Sequence, residues 1–141
     1  MKSRETLIRL RRFEVDEKRQ KVTDLETMIS DFQQMAQDLD RQIQVEQERA
    51  GVSDVNHFAY PTFAKAAVQR RDNLAASVDE LQAKLDAARE ELAGAYEELK
   101  KVELIEERDM ERARAGRRKT EQAELDDLGG LAHMGAFGQT R

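Results

Sequence analysis

Apolar residues recur every seven positions along the first third of the chain, and a second set is offset from them by three. Spacings that alternate between three and four place these residues in a narrow stripe on one side of an α-helix, as in a coiled-coil seam. A second stripe follows after a break, which predicts an all-α fold: a long antiparallel two-helix coiled-coil hairpin. The first stripe is Ile8, Val15, Val22, Ile29, Ala36 and Ile43 with Leu25, Phe32 and Leu39, and the second is Leu74, Val78, Leu81, Leu85, Ala88, Leu92, Ala95, Leu99 and Val102.

The break and the glycines set the predicted domain limits. The hairpin is expected over residues 1–128, with helix 1 over about 3–50, a turn over 51–60 and helix 2 over about 61–128. The remaining segment, 129–141, is rich in glycine and is predicted to be a disordered tail. Helix 2 is the longer of the two, so part of it should extend beyond helix 1.

Individual residues support these limits. Ser3 is a candidate N-cap for helix 1, and Gly51 tolerates the left-handed conformation that closes a helix. Within the turn, Asp54 is expected to cap a short helical piece. Pro61 suits the first turn of helix 2, where its missing N–H costs no hydrogen bond.

A turn of about ten residues cannot carry the chain back to a parallel start, so the helices should be antiparallel. Leu25 and Ile29 should then face the stretch from Leu85 to Leu92. Near the chain termini the seam positions carry charge instead: Arg11 and Lys18 on helix 1, with Glu106 and Asp109 on helix 2. These opposite charges are expected to pair across a loosely held end, contributing little if they are exposed.

The composition argues against a thick globular core and against a catalytic or metal-binding site. The chain is 38% charged and 5% aromatic, and it has no cysteine. Acidic and basic residues are interleaved, so the sequence does not predict the basic surface of a nucleic-acid-binding protein. No stretch has the apolar pattern of a signal peptide or a transmembrane helix. The two histidines, His57 and His133, have no neighbours at metal-ligand spacing. We therefore expect a soluble cytosolic protein that is not an enzyme and has no catalytic residue, cofactor or metal.

A basic run in helix 2 has two interpretations. It resembles a segment that binds nucleic acid or lipid, but acidic residues and a glycine interrupt it and no aromatic residues are interleaved. A solvated helix face is the favoured interpretation. The run consists of Arg112, Arg114, Arg117, Arg118 and Lys119.

Apolar residues outside the stripes mark two candidate docking surfaces. Near the N-terminus, Leu10 and Phe13 point away from the seam with Leu7 beside them; they either cover the overhanging part of helix 2 or form a docking patch. At the turn, three aromatic residues lie within six positions and either pack the turn or anchor a partner. The turn aromatics are Phe58, Tyr60 and Phe63.

Two segments carry a family resemblance. The chain opens with SRETLIRLRRFEVDEKRQKV and resumes after its turn with FAYPTFAKAAVQRRDNLAAS, and from Met1 to Leu128 it resembles the flagellar export protein FliJ family in its alphaproteobacterial form. The resemblance implies a cytoplasmic component of the flagellar type III export apparatus, peripheral at the inner face of the membrane. Its partners would be the hexameric export ATPase, the cytosolic domain of the export-gate protein FlhA, and export chaperones.

The resemblance also implies where those partners bind. The ATPase is expected at the end that carries both termini, where Leu7, Leu10 and Phe13 lie, and the gate protein nearer the turn. The gate patch carried over to this chain consists of Asp38, Gln42, Val45 and Arg49 on helix 1 with Phe63, Ala67, Arg70 and Leu74 on helix 2.

The leading hypothesis is therefore a non-enzymatic shaft that couples the export ATPase ring to the export gate. The alternative is a generic coiled-coil adaptor or export chaperone that holds apolar client segments along its stripe. A chaperone should bind clients without nucleotide dependence, whereas a shaft should prefer a nucleotide-loaded ATPase oligomer.

Overall fold

The protein consists of two long helices joined by a short turn. A computed structural model describes the backbone of residues 2–139 and the side chains of residues 3–131. Helix α1 is Lys2–Ala50 and helix α2 is Thr62–Gln139, and the two pack against each other as a hairpin. The predicted all-α hairpin is confirmed.

The helix limits differ slightly from those predicted. Since α1 already includes Lys2, Ser3 lies inside the helix rather than at its N-cap. Pro61 precedes α2, and its carbonyl oxygen accepts a hydrogen bond from the Lys65 N–H at 3.0 Å. The bounds of α2 run past the predicted end at Leu128. Most of the predicted tail, with His133, lies outside the residues whose side chains are described, and its flexibility stays a prediction.

Ion pairs between the helices establish the antiparallel register. Lys18 and Lys21 of α1 both contact Glu91 of α2, at 3.1 and 3.5 Å. Nearer the turn, Asp40 of α1 pairs with Arg71 of α2 at 2.9 Å. The partner's number on α2 falls as the number on α1 rises, which is the signature of antiparallel helices.

A continuous buried cluster lies midway along the seam. Val22, Leu25 and Ile29 of α1 form one buried cluster with Leu81, Leu85 and Ala88 of α2, flanked by Phe32, Val78 and Leu92. Leu25 and Ile29 thus meet the region of α2 that the short turn predicts. Branched side chains on α1 pack against leucines and a small alanine on α2, which is how a thin two-layer seam excludes water.

The charged seam positions pair differently from expectation. Glu106 and Asp109 both contact Arg4, not Arg11 or Lys18. Hydrogen bonding to Asp109 is the main cause that raises the pKa of Arg4 above its ordinary value. The expectation misplaced the register at this end: Lys18 lies at the height of Glu91.

Arg11 turns back to its own helix, where it pairs with Glu14 at 3.0 Å. Its Nε atom is buried without a hydrogen-bond partner. At this end the seam therefore buries a polar atom without a hydrogen bond, unlike its apolar centre.

Helix α2 continues where α1 has ended. Because Arg4 lies opposite Asp109, residues 110–139 have no counterpart on α1 and form an overhang. At 1.5 Å per residue, this single helix extends about 45 Å beyond the hairpin. No helix in the described part of the chain is long and apolar enough to cross a membrane.

Leu85→Asp should cost about 3 kcal/mol of unfolding free energy, because it removes a side chain that is only 3% exposed and buries a carboxylate without a partner. Urea denaturation followed by circular dichroism measures the loss. Ala83→Asp, on the exposed face of the same turn, is the control and should cost less than about 1 kcal/mol. Equal losses for the two variants would show that the seam does not hold the hairpin together.

Candidate docking surfaces at the two ends of the hairpin

The turn is built from short-range hydrogen bonds, not from the short helical piece that the sequence suggests. Gly51 has φ of 70°, and its N–H bonds the carbonyl oxygen of Gln47 at 2.9 Å, which closes α1. The carboxylate of Asp54 accepts the N–H of Asn56 at 3.0 Å, so it caps a turn rather than a helix. His57 N–H bonds the Asp54 carbonyl oxygen at 3.0 Å, which tightens the same turn.

The three turn aromatics have three different environments. Tyr60 is buried, and its hydroxyl accepts a hydrogen bond from the Gln47 side-chain amide at 2.9 Å, so it packs the turn. Phe58 is 95% exposed, and the ring of His57 stacks on it with 4.6 Å between the ring centres. Phe63, in the first turn of α2, is 58% exposed. The packing interpretation therefore applies to Tyr60, while Phe58 and Phe63 are free to meet a partner.

A shallow groove next to the turn brings together five of the eight residues predicted for the gate contact. Val45 and Phe63 line one part of the groove together with Gln42. Gln42 also lines the adjoining part, where Asp38 and Arg70 lie. The surface is continuous across both helices, and we call it the turn groove.

The other three predicted residues lie at its border or beneath it. Arg49 is exposed in the last turn of α1 and pairs at 3.3 Å with Glu46, which lines the groove. Ala67 is 5% exposed and belongs to the seam, so it supports the surface without being part of it. Leu74 is half-buried. The heptad alone could have placed Ala67, since it falls on a core position of the second stripe.

Sequence reasoning missed four further residues of the turn groove. They lie on the same turns of α1 as the predicted residues; Met35 is at a position that flanks the seam, whereas Leu39 and Glu46 are at core positions of the heptad. They are Met35, Leu39, Arg41 and Glu46.

The opposite, open end of the hairpin exposes the other predicted cluster. Leu10 and Phe13 are 49% and 58% exposed, and Leu7 is exposed as well. The register places residues 7–13 of α1 opposite α2 residues that precede the overhang, so these side chains do not cover it. The register adds Ile105 of α2, which lies across the seam from Leu7 and is also exposed. We call these four residues the open-end patch.

The turn groove and part of the open-end patch share one side of the hairpin. In a two-helix coiled coil, core positions a and d are bordered by positions e on one side and g on the other. Leu7, Gln42, Phe63 and Ile105 are all at g positions. Contacts across the seam occur on both sides: on the e side Arg12 pairs with Glu103 at 3.5 Å and Arg19 donates to the Tyr96 hydroxyl, and on the g side Lys21 pairs with Glu91 at 3.5 Å. A partner that contacts both surfaces would therefore approach from the g side.

The remaining candidates from the sequence are a metal site and the basic run of α2. Within residues 3–131, no cluster of side chains is arranged to hold a metal ion. In the basic run, Arg114 and Arg118 both pair with Glu111, at 3.6 and 2.9 Å, on the exposed overhang.

Comparison with known proteins identifies the family. The model of the family described as Flagellar FliJ protein matches residues 3–136. The chain belongs to the FliJ family. Searches of curated proteins and of solved structures found no significant match. As a FliJ-family protein, the chain is a non-enzymatic component of the flagellar export apparatus, and its partners lie within that apparatus.

The two turn aromatics that differ most in exposure should also differ in their effect on stability. Tyr60→Phe leaves the Gln47 amide without its partner and should lower the unfolding free energy by about 1 kcal/mol. Phe58→Ala should change it by less than about 0.5 kcal/mol, because the ring buries almost no surface. Thermal or urea unfolding of both variants measures the difference, and a larger loss for Phe58→Ala would contradict the assignment of Tyr60 as the structural residue.

Proposed function

We propose that this FliJ-family protein is the coiled-coil shaft that couples the hexameric export ATPase to the cytosolic domain of FlhA during flagellum assembly. It acts in the cytoplasm at the inner face of the membrane, at the flagellar base, and export chaperones are further partners. The two segments that resemble the alphaproteobacterial form support assignment to that branch of the family.

The observation that carries this proposal is the separation of two exposed surfaces on one rigid hairpin. The open-end patch and the turn groove lie about 50 Å apart along α1, from Leu10 to Val45, at 1.5 Å per residue. Neither surface is needed to close the seam, since Phe13 and Phe63 are each 58% exposed. A protein with one docking surface at each end can bridge two partners.

The overhang supports insertion of the open end into a ring. Residues 110–139 are a single helix about 45 Å long, and a single helix is only about 10–12 Å across. Such a helix fits the central opening of a ring of subunits. The open-end patch would then lie at the entrance of that opening. The turn groove would then remain outside, available to FlhA.

Phe13→Ala tests the open end. It should leave the circular dichroism spectrum and melting temperature nearly unchanged while weakening binding to the export ATPase by at least about tenfold, since a buried aromatic anchor is worth about 2 kcal/mol. Pull-down with the nucleotide-loaded ATPase measures binding. Met28→Ala, which truncates an exposed side chain midway along α1, is the control and should bind normally. A melting temperature lowered as strongly as by a seam substitution would make Phe13 structural.

Phe63→Ala combined with Arg70→Glu tests the turn groove. This variant should lose affinity for the FlhA cytosolic domain and reduce swimming, because it removes the largest exposed apolar side chain of the groove and reverses a charge beside it. Binding to the ATPase should persist.

The matched control is Phe58→Ala with Lys65→Glu, which makes the same kinds of change outside the groove. It should retain FlhA binding. If the groove variant swims normally and binds FlhA as well as the control does, the gate contact lies elsewhere on the hairpin, although the family assignment still stands.

A further inference from the structure

The apolar surface of the turn groove continues along α1 beyond the residues expected to bind FlhA. Met35 lines the groove beside Asp38 and Arg70. Met28 lies seven residues nearer the open end, also at a g position. The two methionine side chains are 47% and 44% exposed. The g side of the hairpin therefore carries exposed apolar side chains from the turn to the middle of α1.

Ion pairs across the seam set the far limit of this surface. At the next g position towards the open end, Lys21 pairs with Glu91 of α2 at 3.5 Å. Lys18 contacts the same carboxylate at 3.1 Å. These pairs bridge the two helices on the g side, so the uncovered surface lies between them and the turn.

Helix α2 does not cover the two methionines. The Lys21 pair sets the register, and by that register the g position of α2 that faces Met35 is Ser77. The position that faces Met28 is Lys84, which makes no ion pair within residues 3–131. A serine is too short to cross the seam, and an exposed lysine leaves the apolar side chain beside it open to a partner.

The outer border of the two methionines is acidic. From residue 22 to residue 40, α1 carries five acidic and no basic side chains. Three of the five occupy c positions, which lie next to g on the helix surface. They are Asp24, Asp31 and Asp38. We call these aspartates, together with Met28 and Met35, the methionine strip.

A second row of aspartates in the same protein has no such apolar neighbour. Asp72, Asp79 and Asp86 are also seven residues apart and lie exposed on the outer face of α2. No large apolar side chain between residues 68 and 90 of α2 is exposed. That row is a solvated helix face, whereas the strip on α1 combines apolar and acidic side chains in one repeat.

We propose that the methionine strip binds a basic amphipathic helix of the FlhA cytosolic domain. The apolar stripe of this helix packs on Met28 and Met35, and Lys or Arg side chains along one flank pair with the three aspartates. Its other flank faces Lys84 and is acidic or uncharged. The inference rests on the proposed function: the strip shares Met35 and Asp38 with the turn groove, so one partner covers both.

The dimensions and the side chains suit a third helix. Asp24 and Asp38 are about 21 Å apart along α1 at 1.5 Å per residue, which is the length of a four-turn helix. The seven-residue spacing of the methionines matches the spacing of core positions in a coiled-coil partner. Methionine is unbranched and flexible, so it adapts to the partner's side chains.

Met28→Glu tests the apolar half of the contact. Met28 lies outside the turn groove, so the substitution leaves Phe63 and Arg70 in place. It should raise the Kd of the full chain for the FlhA cytosolic domain by at least about tenfold, because it places a carboxylate where an apolar side chain packs. Isothermal titration calorimetry measures the Kd. Thr27→Glu, on the exposed outer face one residue away, is the control and should change the Kd less than about twofold.

Asp24→Lys combined with Asp31→Lys tests the charged half. This variant should raise the Kd by at least about tenfold at low salt, and the difference from the wild type should shrink as salt is added. Asp72→Lys combined with Asp79→Lys changes the net charge of the chain by the same amount on the outer face of α2. It is the control and should bind nearly as the wild type does. Circular dichroism checks that all variants remain helical.

A photo-reactive amino acid at position 28 identifies the bound segment without relying on a loss of affinity. After illumination with the FlhA cytosolic domain, mass spectrometry should find crosslinks to a helix that repeats Lys or Arg along one flank. The same probe at position 27 should give no such crosslink.

Three results would overturn the inference. If Met28→Glu and Thr27→Glu bind FlhA equally well, or if the crosslinked segment is not a basic helix, the strip is not its docking site. The gate contact itself still stands if Phe63→Ala with Arg70→Glu weakens FlhA binding in the same assay. A wild-type chain that does not bind the FlhA cytosolic domain contradicts both the inference and the proposed function.

Discussion

The apolar seam between the two helices is the contact on which the rest of the structure depends. It is one side chain thick, and its central cluster joins Leu25 and Ile29 of α1 to Leu81, Leu85 and Ala88 of α2. A chain with 38% charged residues has little apolar surface left for a second core. Each helix is also too long for the turn alone to hold the two helices in alignment. The seam therefore sets their register, and with it the position of every exposed residue along the hairpin axis.

The seam weakens toward the open end, where charge replaces apolar contact. Arg4 reaches Glu106 and Asp109 at the last layer, and Arg11 leaves its Nε atom without a hydrogen-bond partner. Such exposed or half-satisfied pairs contribute little to stability. The pKa of Glu91 is lowered chiefly by its hydrogen bond from Lys18, so this pair persists as pH falls until that carboxylate is protonated. Apolar contact between the helices therefore runs from the turn, where Ala64 and Ala67 are buried, to Val15 and Val102, and charged contacts replace it only at the open end.

The two sides of the hairpin differ in what they leave exposed. On the e side, Arg19 donates to the Tyr96 hydroxyl and lies 5.6 Å from the centre of its ring, which covers the seam there. On the g side, Leu7 and Phe63 remain exposed, and Val45 lies exposed in the groove beside Phe63. Exposed apolar side chains grouped on one side are typical of interaction surfaces, since a solvated coiled coil has no need of them. The g side is therefore the side on which the turn groove and Leu7 of the open-end patch expose apolar side chains together.

The sequence by itself determined the two helices, the turn near Gly51 and the identity of the seam, because a seven-residue apolar repeat and a left-handed glycine are local signals. Only the tertiary structure decided which side chains meet across the seam. Arg4, not Arg11 or Lys18, pairs with Asp109 because a small change of register moves every contact on the facing helix. Tyr60 is buried while Phe58 is exposed because the turn's hydrogen bonds, not composition, orient them. Surfaces built from both helices depend on that register, and a heptad pattern does not encode it.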